Sequence, residues 1–189
     1  MTERLHQLQF DELFQEAGPL DVTPKHFTGL QFPAREQGAT RTETAQLGRF
    51  VREVKDEVFA ISPQAAASYL LDKVYFPFEL FDQEETWVLL LNNKNKITHE
   101  VMVYRGTVNT AYVRVAEFFK EAVRVNATGI ILSHNHPSGK PDPSPEDIET
   151  TRRAKEAADI LGIELEDHII VGKDAWVSLK ERGLGFDDR

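Results

Sequence analysis

The alternation of apolar and polar positions is clearest in the middle of the chain. Residues 84–106 read EETWVLLLNNKNKITHEVMVYRG, two apolar-rich runs either side of the polar turn NNKN. That pattern predicts an antiparallel hairpin. Upstream, GRFVREVKDEVF alternates enough for a strand, and ISPQAAASYLLDKV predicts a helix with Ser62 as N-cap and Pro63 at its first position. Downstream, Val115, Phe118, Phe119, Ala122 and Val125 recur at helical spacing, and Gly129 follows the end of that helix. GIILS is a short continuous apolar run, as expected for a strand buried on both faces. SPEDIETTRRAKEAADILG predicts a longer helix, capped by Ser144, started by Pro145 and closed by Gly162. IELEDHIIVG and AWVSL add two strands, and KERGLG reads as a terminal turn or short helix. Strands alternate with helices after the hairpin, so the fold class is α/β, a mixed sheet flanked by helices.

The first part of the chain has no clear period. Its Pro, Gly and Thr content predicts loop or extended arm, yet Phe10, Phe14, Phe27, Phe32 and Phe50 are too many aromatic residues for a plain solvated tail. The expected organisation is an irregular N-terminal extension over 1–58 and one domain over 59–189.

Composition narrows the function classes. With 41% hydrophobic residues the chain can bury a core, and its longest apolar runs are far too short to span a bilayer. The formal charge of −9 disfavours nonspecific binding to nucleic-acid backbones. There are no cysteines, which excludes disulfides and thiolate metal sites and fits a reducing cytoplasm. The N-terminus lacks the basic-then-apolar pattern of a secretory signal, so a cytoplasmic protein is expected.

The chemistry concentrates at HNHPSGKPDPSPED, residues 134–147, directly after the apolar strand. Side chains alternate along a strand, so His134 and His136 point one way and Asn135 the other. Two imidazoles aimed at one point suit Zn²⁺, and Asp147 is the candidate third ligand, returned by a proline-stiffened loop. Two histidines and one carboxylate leave a fourth tetrahedral position for water, the pattern of a catalytic zinc site. Ser144 and Asp147 also make S-x-x-D at a helix start, a sufficient capping pair without any metal.

The combined spacing, H-x-H-x(7)-S-x(2)-D, resembles the JAMM (MPN+) metalloprotease motif. With YRGTVN before it and DHIIVG…WVSLKERGLGF after it, the stretch is similar to the RadC family over about residues 60–186. The resemblance implies the cytidine-deaminase-like α/β fold of JAMM/MPN domains, with His134, His136 and Asp147 as metal ligands. It implies Ser144 as the hydroxyl that helps to stabilise a tetrahedral intermediate. It also implies an upstream catalytic glutamate in a pattern like E-x-x-G-L-L. Glu85 begins ETWVLLL in the corresponding place, with Val88 where the pattern has glycine, and Glu100 is the alternative. Asp167 and His168 either orient the site from behind or hydrogen-bond to each other, the second reading being favoured.

The expected function is therefore a zinc-dependent hydrolase of peptide or isopeptide bonds, acting on a peptide or a small-protein conjugate. Two alternatives stand beside it: a DNA-repair factor or metal-dependent nuclease, as the family's label suggests, and a non-catalytic zinc-binding interaction module. Residues 1–58 show no pair of helices around a Gly-rich hairpin, the usual DNA-binding region of full-length RadC proteins. That argues against inherited DNA binding. The oligomeric state is left open.

Overall fold

A computed structural model describes residues 50–106 and 113–186. The phenylalanines of the expected extension before residue 50 lie outside the described residues. Among these residues six strands form one mixed sheet: β1 (Phe50–Glu53), β2 (Glu84–Leu91), β3 (Ile97–Gly106), β4 (Gly129–Asn135), β5 (Glu164–Val171) and β6 (Trp176–Ser178). Their spatial order is β1-β3-β2-β4-β5-β6. Three α-helices accompany them among the described residues: α1 (Pro63–Tyr69), α2 (Val115–Arg124) and α3 (Pro145–Leu161). Among the described residues β1 pairs with β3 and sets Arg52 opposite Glu100, so Phe50–Glu53 of the expected extension join the sheet.

Local chemistry explains the elements. In the hairpin turn the Asn92 carboxamide accepts the N–H groups of Lys94 and Lys96, at 2.9 and 3.1 Å. Asn95 takes the left-handed conformation, φ 57°, which asparagine tolerates better than most residues. Ser62 Oγ caps α1 by accepting from Ala65 N at 3.2 Å. Gly162 ends α3 at φ 65°, where a Cβ would be strained.

β2 lies antiparallel to β3 and to β4, and β4 lies parallel to β5. A parallel pair needs a crossover, and α3 supplies it. The core lies between the sheet and the pair α2 and α3: Val88, Leu90, Val101, Val103, Ile130 and Leu132 meet Phe118, Phe119, Ala154 and Ala158 there. On the other face the Tyr69 hydroxyl, at the end of α1, donates to Glu100. The Tyr75 hydroxyl lies 3.3 Å from both the Glu85 carbonyl and Ser133 Oγ. Every residue of β4 is buried, so its end is a rigid platform. Among the described residues no helix is long and apolar enough to cross a membrane.

Candidate metal centre

β4 ends in the histidine pair, and His136 continues its pairing with β5 by donating its N–H to the Val171 carbonyl at 2.9 Å. Thr86 lies opposite His134, so both histidines share the face covered by α2 and α3. Asn135 points the other way. Its Oδ1 accepts the Glu85 N–H at 2.8 Å and its amide donates to the Gln83 carbonyl at 3.1 Å, tying the start of β2 to the end of β4. The proline loop rests on Gly172, where a Cβ would stand 2.4 Å from the Gly139 carbonyl oxygen. Only glycine permits that approach, and it seats the loop so that α3 starts beside the histidines.

Asp147 falls in the first turn of α3. Its Oδ2 accepts from Ser144 N at 2.8 Å and from Ser144 Oγ at 2.6 Å, and Ser144 Oγ accepts the Asp147 N–H at 3.2 Å. Its Oδ1 is 3.1 Å from His134 Nε2. Oδ1 thus stays clear of the cap and faces His134, while Oδ2 serves the cap and lies 3.6 Å from His136 Nε2. His134 Nε2 and His136 Nε2 are 3.0 Å apart. One donor atom from each of His134, His136 and Asp147 lies within 4.8 Å of the others.

The donor chemistry fits a cation. His136 Nδ1 is 2.9 Å from the Lys140 carbonyl, which can only accept, so the ring proton sits on Nδ1. Nε2 then turns a lone pair towards a carboxylate oxygen 3.6 Å away. Converging acceptors repel unless a proton or a metal lies among them. Two ligands of a tetrahedral Zn²⁺ at about 2.0–2.1 Å are roughly 3.3 Å apart, close to the observed spacing of the imidazole nitrogens.

Electrostatics agree with the geometry. Burial alone would lower the His136 pKa, but Asp147, the Lys140 carbonyl and Glu84 together raise it above the ordinary 6.5. Burial would likewise raise Asp147, yet His134, His136 and Ser144 hold it well below the usual carboxylate range. Burial pushes His168 down to about 3, so that ring is neutral.

The structure does not bring Glu85 to this cluster. Glu85 pairs with Arg105 across β2 and β3 and shares the opposite face of the sheet. There its carboxylate is 3.4 Å from Arg105 Nε and accepts from Trp87 Nε1 at 3.0 Å. Glu100 is also on that face, held by the two-pronged guanidinium of Arg52 at 2.8 Å and by Tyr69. The glutamate on the histidine face is Glu84, one residue earlier and half-buried. Its charge reaches His136. Alternation separates Glu84 from Glu85, but only the pairing of Thr86 with His134 shows which one faces the metal centre.

Ser144 reaches the cluster as the anchor of Asp147. Its hydroxyl donates to Asp147 Oδ2 at 2.6 Å, so the proton expected to serve an oxyanion is directed at the aspartate here. Ser144→Ala is expected to destabilise the fold by about 0.5–2 kcal/mol, the usual effect of losing an N-cap. It should also weaken metal binding about tenfold or more, because an orienting partner of a ligand is lost. Denaturant unfolding and a chelator competition would measure the two effects. Asp167 and His168 do not hydrogen-bond through their side chains. Asp167 Oδ1 takes the His168 backbone N–H at 2.7 Å and Ser178 Oγ–H at 2.9 Å, whereas the His168 ring turns to His134, with Nε2 2.9 Å from Nδ1.

A six-stranded mixed sheet with flanking helices, whose buried strand ends in His-x-His and whose next helix returns an aspartate, defines a JAB/MPN-type domain. The RadC-like JAB domain family model matches residues 60–184, and the chain belongs to that family. It is 48% identical over 140 residues to a UPF0758 protein of Chloroflexus aurantiacus, covering 74% of this chain and 59% of the relative. A UPF0758 protein of Bacillus cereus (strain G9842) is 39% identical over 181 residues, 95% of this chain and 76% of the relative. One from Roseiflexus sp. (strain RS-1) is 38% identical over 165 residues, 84% and 70% respectively. The match thus spans less than two thirds of the Chloroflexus protein's length. None of these names states a reaction.

Proposed function

We propose that this chain is a zinc-dependent hydrolase of peptide or isopeptide bonds, with His134, His136 and Asp147 holding the metal. The observation that carries this reading is the three-donor centre, which no fourth His, Asp or Glu joins among the described residues. An ion held by three protein ligands supplies Lewis acidity and a water acidic enough to ionise near neutral pH. The chain's own residues supply the rest. Glu84, on the same face, is the group to take the water's proton and pass it to the leaving amine, a role usually worth about 10²–10⁴ in rate. Ser144 keeps Asp147 from turning away. The formal net charge of −9 favours a peptide or protein-conjugate substrate over a nucleic acid.

The test is to assay the zinc-loaded protein on a peptide library, isopeptide-linked conjugates, and single- and double-stranded DNA, with His136→Ala as control. Peptide or isopeptide cleavage that the substitution abolishes is expected. Metal-dependent cleavage of DNA alone would overturn the proposal in favour of a nuclease, and zinc binding without any cleavage would make the domain a binding module.

Metal occupancy should depend on pH in a defined direction. His136 must give up its competing proton to bind, and its pKa is raised, so zinc affinity should fall as pH drops, starting above 6.5. Chelator competition between about pH 5 and 8, where histidines titrate, would follow the loss. A flat affinity across that range would contradict the assignment of His136.

A further inference from the structure

We infer that Thr151 and His168 are positioning residues that set which nitrogen of His134 faces the metal, through a chain of hydrogen bonds closing on the Asp147 backbone. The inference rests on the metal reading above. It concerns residues behind the centre that hold no metal themselves.

The direction of each bond follows from what each atom can do. Thr151 Oγ1 lies 2.7 Å from the Asp147 carbonyl, four residues earlier in α3, and 2.6 Å from His168 Nδ1. A carbonyl can only accept, and a threonine hydroxyl has one proton. Both short contacts are attractive in one arrangement alone: Thr151 donates to Asp147, and His168 Nδ1–H donates to Thr151. A ring 2% exposed between a hydroxyl and another imidazole carries one proton rather than a charge, so with Nδ1–H given to Thr151 its Nε2 is a bare lone pair. His134 Nδ1, 2.9 Å away, must carry the proton that fills it. His134 Nε2 is thereby left unprotonated, beside His136 and Asp147.

The chain joins two ligands into one unit. Asp147 enters by its backbone carbonyl and His134 by its ring, with α3, β5 and β4 each supplying one link. Thr151 is 0% exposed, His168 2% and His134 6%, so water does not compete for these bonds. Metal-bound histidines ordinarily have the second ring nitrogen fixed by a partner in this way. Here that partner is a second histidine, itself oriented by a threonine.

The test uses the full chain. Thr151→Val keeps the side-chain shape and removes the hydroxyl, Thr151→Ser restores it, and His168→Phe removes the middle link. Zinc affinity by chelator competition is expected to fall about 10–100-fold for Thr151→Val and for His168→Phe, and to return to within about threefold of wild type for Thr151→Ser. The double variant should lose little beyond either single one, since one chain broken twice is still one broken chain. Cobalt(II) visible spectra would report the altered ligand geometry. Should the variants fail to fold, ring-nitrogen NMR of the zinc-bound wild type decides the matter, with protons expected on Nδ1 of both His134 and His168. A proton on Nε2 of His168, or a folded Thr151→Val with zinc affinity within twofold of wild type, would overturn the inference. Failure of the wild type to bind zinc would instead overturn the metal reading beneath it.

Discussion

Replacing His134 or His136 with alanine should lower zinc affinity by about two to three orders of magnitude. Apparent binding free energies of four-ligand zinc sites are about 10–16 kcal/mol, so one ligand accounts for roughly 2.5–4 kcal/mol. At 1.4 kcal/mol per factor of ten, that is the expected loss. The effect should also appear in stability. A ligand present at about 1,000 times its Kd stabilises the folded state by about 4.1 kcal/mol. Wild type should therefore unfold at a clearly higher temperature with zinc than with a chelator, and either alanine variant should lose most of that difference. Because the His134 ring is buried and tied to His168, its removal should also reduce metal-free stability, whereas His136 at the loop should matter less without metal. Calorimetry with and without zinc separates the two contributions. Unchanged zinc-dependent stabilisation in both variants would rule out the centre.

The second large effect separates two adjacent glutamates. Glu84→Gln should reduce hydrolysis about 10²–10⁴-fold and leave zinc affinity and fold stability near wild type, because it removes a proton acceptor on the metal face. Glu85→Gln should do the reverse. Glu85 is 2% exposed and faces Arg105, and removing one partner of a buried ion pair costs about 3–5 kcal/mol. Its effect belongs in the unfolding curve, with turnover per folded molecule largely kept. Paired measurements of turnover and denaturant midpoint on the two variants would reverse the assignment if Glu85→Gln proved the inactive, stable one.

These two residues mark where sequence reading ends. In β2 the alternation EETWVLLL shows that Glu84 and Glu85 lie on opposite faces, but not which face the histidines of β4 will share. Glu100 poses the same problem. Nothing near it announces that Arg52 on an edge strand and Tyr69 at the end of α1 hold its carboxylate. His168 carries no local mark of a role either, since its partners Thr151 and His134 come from α3 and β4.

What could be read directly rests on short-range rules. The two-residue repeat of a strand aims His134 and His136 together, and the helix-start chemistry of Ser144, Pro145 and Asp147 sets the carboxylate beside the first turn. Gly162 closes that helix for an equally local reason, a positive φ. The α/β class follows from the same periodicities. Tertiary structure alone decided the strand register, and with it that Glu84 rather than Glu85 shares the face of the histidines, and the chain from Asp147 to His134. Register depends on which residues meet across separate strands, and a one-residue slip would send every side chain to the other face.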